Sequence, residues 1–260
     1  VNFLSLGMDP EKSTFWVQSD VPEVLELYWI LSNHTPMGLL ERAHSYKDKT
    51  ARGIASNHGL FSYPVLMAAD ILLFDSNIVP VGKDQIQHVE MARDIANTFN
   101  NTYGDILTMP LSKVDENLAT VPGTDGAKMS KSYGNTIDMF GSKKGLKKQV
   151  MKIVTDSKEL HEVKEYATCN VYKLWELFMN EDELVAMQKR YETPGEGYGH
   201  FKIALMDKIN EHFAPYIERR EYLLNNPEEV KSLLEIGAKK ASKVAQEKLK
   251  IIRDAVGLNY

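Results

Sequence analysis

Up to about residue 142, short β-branched runs alternate with amphipathic helical stretches; beyond it every apolar spacing is helical. Strands separated by helices satisfy their backbones as a parallel sheet with helices packed on its faces. The strand candidates are Thr14–Gln18 (TFWVQ) and Asn77–Val81 (NIVPV), the latter carrying a proline that suits a central ladder position poorly. Between them, Pro22 opens a helix that reaches Asn33, and another helix starts near Met37 and runs through Lys49. Pro64 then opens PVLMAADILLF, in which Met67, Asp70, Ile71 and Phe74 share one face. Asp84 is placed to cap a helix whose apolar face is Ile86, Val89, Ala92, Ile95, Ala96 and Phe99. The expected class is α/β over residues 1–142, followed by an all-helical region over 143–260, with no internal repeat.

The 260 residues are 43% hydrophobic and 26% charged, enough apolar material for a core, which excludes a disordered chain, a collagen-like fibre and a disulfide scaffold. One cysteine, Cys169, cannot form an internal disulfide and points to a reducing compartment. The longest apolar run, around Val65–Phe74, contains Asp70 and is too short for a bilayer, so no membrane partner is expected. The opening VNFLSLGMDPE reads as a helix end and a turn at Gly7, so the natural chain is expected to extend further upstream. The net charge of −5 argues against a uniformly basic coat, yet Lys128–Lys158 holds eight lysines against Asp138 and Asp156. That window is +6 and leaves −11 on the rest.

The window opens on Lys128-Met129-Ser130-Lys131-Ser132 (KMSKS), behind the flexible Pro122–Gly126. Two lysines three apart, spaced by small hydroxyl residues on a glycine-flanked loop, can close over a polyphosphate. A generic lysine pair of this spacing is more often a solvated loop. The intact five-residue string is the signature loop of class I aminoacyl-tRNA synthetases. Tyr63–Phe74, Ile78–Ala96, VTDS (Val154–Ser157) and GYGHFK (Gly197–Lys202) carry the likeness further. Across nearly its whole length the sequence resembles the bacterial-type tryptophanyl-tRNA synthetases.

Local chemistry and resemblance meet at several residues. Asp70 lies in an otherwise apolar helix, which costs a carboxylate free energy unless it is partnered. A salt-bridged core acid is one reading; an acceptor for an indole N–H is the other, with Met67, Val79 and Val81 packing the ring. The resemblance implies that these residues and Tyr63 line a tryptophan pocket. Gly82-Lys83-Asp84-Gln85 ends a strand and opens a helix, where parallel sheets bind ligands. By resemblance, Gln85 meets the amino acid's ammonium group, Gly82 and Asp84 lie at the ATP site, and Lys49 contacts the ATP phosphates. Lys128 and Lys131 join Lys49 as catalytic residues, with Met129, Ser130 and Ser132 completing the ATP loop. The lysines at 143, 144, 147, 148 and 152 could contact tRNA phosphates or form a solvated face. The seven histidines show no metal spacing, and Trp16, Trp29 and Trp175 read as packing residues.

The resemblance implies a Rossmann-like parallel sheet whose N-terminal part, with a HIGH-type motif, lies upstream, followed by a helical domain that binds the tRNA anticodon, its last helix packing back on the catalytic domain. It implies a cytoplasmic homodimer acting on L-tryptophan, ATP with Mg²⁺, and tRNA(Trp), with no tightly held protein-ligated metal. Leu25–Leu40 is the candidate dimer interface. The 260-residue segment alone is expected to lack normal adenylate-forming activity. Tyrosyl specificity and a non-catalytic RNA-binding paralogue stand as alternatives. The dry slot at Met67, Val79 and Val81 weighs against the first, and intact KMSKS and GKDQ weigh against the second.

Overall fold

The computed structural model describes residues 1–51, 53, 55–114 and 121–259, without the side chains of residues 45, 48 and 49. In chain order the helices are α1 (Asn2–Ser5), α2 (Glu23–Ser32), α3 (Met37–Glu41), α4 (His44–Ala51), α5 (His58–Leu72) and α6 (Ile86–Tyr103). They continue as α7 (Lys143–Met151), α8 (Asn170–Trp175), α9 (Glu181–Glu192), α10 (Tyr198–Asn225) and α11 (Pro227–Val256). The strands are β1 (Ile78–Pro80) and β2 (Leu111–Lys113). Two compact units result, each drawn from two stretches of chain: residues 8–117 with 226–260, the sheet unit, and residues 1–7 with 118–225, the helical unit.

In the sheet unit β1 and β2 pair in parallel with Val79 opposite Ser112, and α6 makes the crossover between them, as parallel pairing requires. The three-residue LSK strand β2 carries no alternation and was not foreseen. The core is helical: α2 contributes Leu27 and Leu31, α5 Val65, Ala68 and Leu72, α6 Ala92, Ile95, Ala96 and Phe99, and α11 Ala241, Ala245, Leu249 and Ile252. Small residues let α11 approach closely. A Cβ at Gly237 would lie 1.9 Å from the Phe15 carbonyl oxygen.

Several local expectations are corrected. Thr14–Val17 runs without a ladder partner among the described residues, and Gln18–Asp20 is a 3₁₀ turn, so TFWVQ is not a strand. Its composition suits a strand, but the segment is anchored by the close approach of α11 and by Trp16 against Phe74, ring centroids 5.1 Å apart. The helix read from Pro64 begins six residues earlier, because the Asn57 side chain accepts from Leu60 N–H at 2.9 Å and caps it; Pro64 sits inside. The helix from Met37 breaks at Arg42 into α3 and α4. The N-cap of α6 is Gln85 rather than Asp84, and it makes no side-chain cap bond. Trp29 is 68% exposed rather than packed, whereas Trp175 is buried.

The helical unit contains no strand among its described residues. Its core gathers Leu146 and Val150 from α7, Val171, Tyr172 and Leu174 from α8, Tyr191 from α9, and Phe201, Leu205 and Ile209 from α10. Tyr191 and Phe201 stack with centroids 4.0 Å apart. α9 begins with a full capping box, Asn180 and Glu183 each holding the other's backbone. The loss of strand pattern near residue 142 and the division between units fall at different places. The glycine-flanked loop already belongs to the helical unit, since Val154 N–H donates to the Thr124 carbonyl at 2.8 Å.

Candidate active site

The candidate residues fall into one group in each unit. In the sheet unit, α5 carries Tyr63, Met67 and Asp70, all half-buried; Met67 and Asp70 are three residues apart, on one face. Asp70 accepts from the Gln18 amide at 2.6 Å. Burial pushes the Asp70 carboxyl above its ordinary value, and the Gln18 hydrogen bond opposes that shift. The acid is thus half-buried on an otherwise apolar helix face and, among the described residues, held by a neutral partner rather than a cation. Val79 in β1 packs on the same core as Met67, and Val81 follows it half-buried.

Tyr63 approaches His88 through its hydroxyl, 2.8 Å from Nε2. Burial holds the His88 imidazole below its usual value, against the nearby Asp84 charge. The strand-to-helix turn places the Gln85 amide 2.9 Å from Asp84 Oδ2, donating to it. A Cβ on Gly82 would fall 2.7 Å from Asp84 Oδ1, so glycine there lets that carboxylate fold back over the backbone. Lys49 sits on α4, and its side chain lies outside the described ones.

In the helical unit KMSKS leads into a 3₁₀ turn, Lys131–Tyr133, that ends on Gly134 in the left-handed region at φ 65°. Lys128, Lys131 and Ser132 are exposed; Met129 and Ser130 are half-buried. The two serine hydroxyls lie 2.8 Å apart. An antiparallel bridge joins Pro122 to Lys128, and Met129 N–H donates to the Val121 carbonyl at 2.9 Å.

Asn135 organises this loop, and nothing in its local spacing singles it out. It is 2% exposed. Its Oδ1 accepts from Ser130 N–H at 2.8 Å, while its amide donates to Asp125 Oδ1 at 2.8 Å and to the Lys128 carbonyl at 3.1 Å. Its own carbonyl accepts from Thr124 N–H at 2.9 Å. A Cβ at Gly123 would overlap the Asn135 side chain, which explains that glycine. Chiefly through the Asn135 hydrogen bond, Asp125 is held below the usual carboxylate range. Gln18 and His88 are the other residues that local spacing did not reveal.

A parallel βαβ unit preceded by a carboxylate-bearing apolar helix, together with an intact KMSKS loop, is the combination expected of a class I aminoacyl-tRNA synthetase. The family model for class I tRNA synthetases (W and Y) matches residues 1–214, and the chain belongs to that family. Within it the chain falls beside bacterial tryptophan–tRNA ligases. It is 61% identical to that of Campylobacter jejuni, covering 98% of this chain and 80% of the relative, and 53% identical to that of Fusobacterium nucleatum, covering 99% and 79%. The crystal structure of the Campylobacter jejuni tryptophanyl-tRNA synthetase complexed with ADP and tryptophan superposes with a TM-score of 0.96 at 60% identity, over 98% of this chain and 80% of that one. The Mycoplasma pneumoniae tryptophanyl-tRNA synthetase gives 0.75 at 25% identity, over 99% and 80%.

Proposed function

We propose that the protein activates L-tryptophan with ATP and transfers the tryptophanyl group to tRNA(Trp), on a Rossmann-type catalytic domain joined to a tRNA-binding helical one. The carrying observation is Asp70: a half-buried carboxylate, unpaired with any cation among the described residues, three residues from Met67 on an apolar helix face. An indole ring needs one acceptor and otherwise dry, polarizable walls, and Met67, Val79 and Val81 supply the latter.

In the first step the tryptophan carboxylate attacks the α-phosphorus in line. The new O–P bond forms as the bond to the bridging oxygen breaks, and pyrophosphate leaves with that electron pair. No protein nucleophile takes part, so catalysis lies in positioning and charge stabilisation. Asp70 and Gln85 orient the two ends of the amino acid, and Tyr63 closes the pocket side. Lys128, Lys131 and Lys49 offset phosphate charge, with Met129, Ser130 and Ser132 shaping the loop and Gly82 and Asp84 meeting the nucleotide. Mg²⁺ enters on the ATP phosphates as part of the substrate. In the second step a terminal hydroxyl of tRNA takes the acyl group and AMP leaves.

We read the assembly as a homodimer whose contact lies at the exposed Leu25, Trp29 and Met37 on α2 and α3. A cytoplasmic location follows from the substrates and from the lone buried thiol. No described helix is long and apolar enough to cross a membrane. ATP–pyrophosphate exchange on the full-length protein, with tryptophan and tyrosine in parallel, tests the reading. Tryptophan is expected to support exchange; preference for tyrosine overturns it.

A further inference from the structure

The lysines of α7 face two different surroundings. Lys143, Lys144 and Lys147 border a groove with Asp207 and Asn210 of α10, so one acid already faces them. Lys148 and Lys152, one turn apart, instead line a cavity of about 310 Å³ shared with Thr124, Gly134, Thr136 and Gln149. Among the described residues, that second lining contains no acid. Its polar groups are two ammonium groups, two hydroxyls and an amide.

The amide is already oriented. Gln149 Oε1 accepts from Asp138 N–H at 3.0 Å, which turns its NH₂ away from that bond as a donor. No ion pair holds Lys148 or Lys152 among the described residues. The far wall is equally fixed. Both main-chain groups of Thr124 are occupied, by the Asn135 carbonyl and by Val154 N–H, leaving its hydroxyl as the group available to a ligand. A half-open cavity with two positive charges, several donors and, among the described residues, no negative charge complements a tetrahedral oxyanion.

We propose that this cavity binds a phosphate group. Neither Lys128 nor Lys131 lines it. Its phosphate comes either from a small anion, inorganic phosphate or pyrophosphate, or from the backbone of a polynucleotide; the donor chemistry is the same for both. Because Thr124 and Gly134 flank the KMSKS loop on either side, an occupied cavity would brace the base of that loop. The inference stands apart from tryptophan specificity, since its small-anion test has the same outcome whichever amino acid is activated.

Residue-resolved acylation of exposed lysines in the full-length protein, read by peptide mass spectrometry, tests it with inorganic phosphate, pyrophosphate and tRNA as separate probes. A small-anion site slows labelling of Lys148 and Lys152 by about tenfold at roughly ten times the dissociation constant, while Lys143 and Lys144 keep their rates. Protection of Lys148 and Lys152 beyond that of Lys143 and Lys144 by tRNA, with none from either small anion, assigns the cavity to polynucleotide phosphate. If Lys148 and Lys152 follow Lys143 and Lys144 under all three probes, their charges merely complement the carbonyl end of α7 and the proposal fails.

Discussion

Asn135 shows how much one buried amide can decide. Aspartate at this position keeps the acceptor for Ser130 N–H but sets a second negative charge against Asp125 and leaves the Lys128 carbonyl without its donor. Losing a buried hydrogen-bond partner costs on the order of 2 kcal/mol. Expressed in the activation step, Asn135→Asp should lower kcat for pyrophosphate exchange by about thirtyfold with little change in the tryptophan KM; a raised KM at unchanged kcat would place Asn135 elsewhere. Gln18 acts on a protonation state instead. Its amide favours ionised Asp70, so Gln18→Leu should let Asp70 hold its proton to higher pH and shift the acid limb of tryptophan affinity upward. A titration of tryptophan binding against pH checks the direction. The raised value also means that the fold loses stability as pH climbs from the ordinary carboxylate range through the Asp70 value. Asp70 and KMSKS were legible because their chemistry lies in contiguous spacing. Gln18 stands 52 residues from its partner, and such pairing leaves no local mark.

Among the elements, α11 is the most informative. Its sequence reads as an ordinary amphipathic helix, and replacing a mid-helix glycine by alanine normally stabilises by about 1 kcal/mol. At Gly237 the sign should reverse, because the new Cβ would lie 1.9 Å from backbone at Phe15, which has no flexible side chain to yield. Overpacking of this kind costs about 2 kcal/mol. Gly237→Ala should therefore lower the urea midpoint; a higher midpoint would mean that the Phe15 segment moves aside freely. The same contact explains why TFWVQ misled. β-branched and aromatic residues mark a half-buried surface, and burial beneath a helix meets that need as well as a ladder does. Period alone reveals the α6 helix: of the six expected face residues, Val89, Ala92, Ile95, Ala96 and Phe99 are buried and Ile86 is half-buried. Three residues of β2 were too few for any period to register.

At the scale of the whole molecule, each unit is discontinuous in sequence, so a boundary read from composition had no means of showing that α11 completes the core begun by α2, α5 and α6. The charge pattern was more legible: six of the eight lysines of the window lie in the loop and α7, and all eight within the helical unit. Surface apolarity remains to be accounted for. The Leu25–Leu40 stretch splits cleanly: Leu27, Ile30, Leu31, Leu39 and Leu40 are core, whereas Leu25, Trp29 and Met37 are 61%, 68% and 63% exposed. Leu25 and Trp29 lie one turn apart on the outer face of α2, away from that core. An exposed indole with adjacent aliphatic neighbours is what a protein contact uses, since aromatic anchors dominate interface energy. Because these side chains are largely exposed and outside the core, Trp29→Glu combined with Leu25→Glu should leave the circular dichroism spectrum unchanged. Sedimentation velocity of the full-length protein should then show a dimer for the parent and a monomer for the double variant at the same concentration. A variant that sediments as the parent does would move the subunit contact off α2.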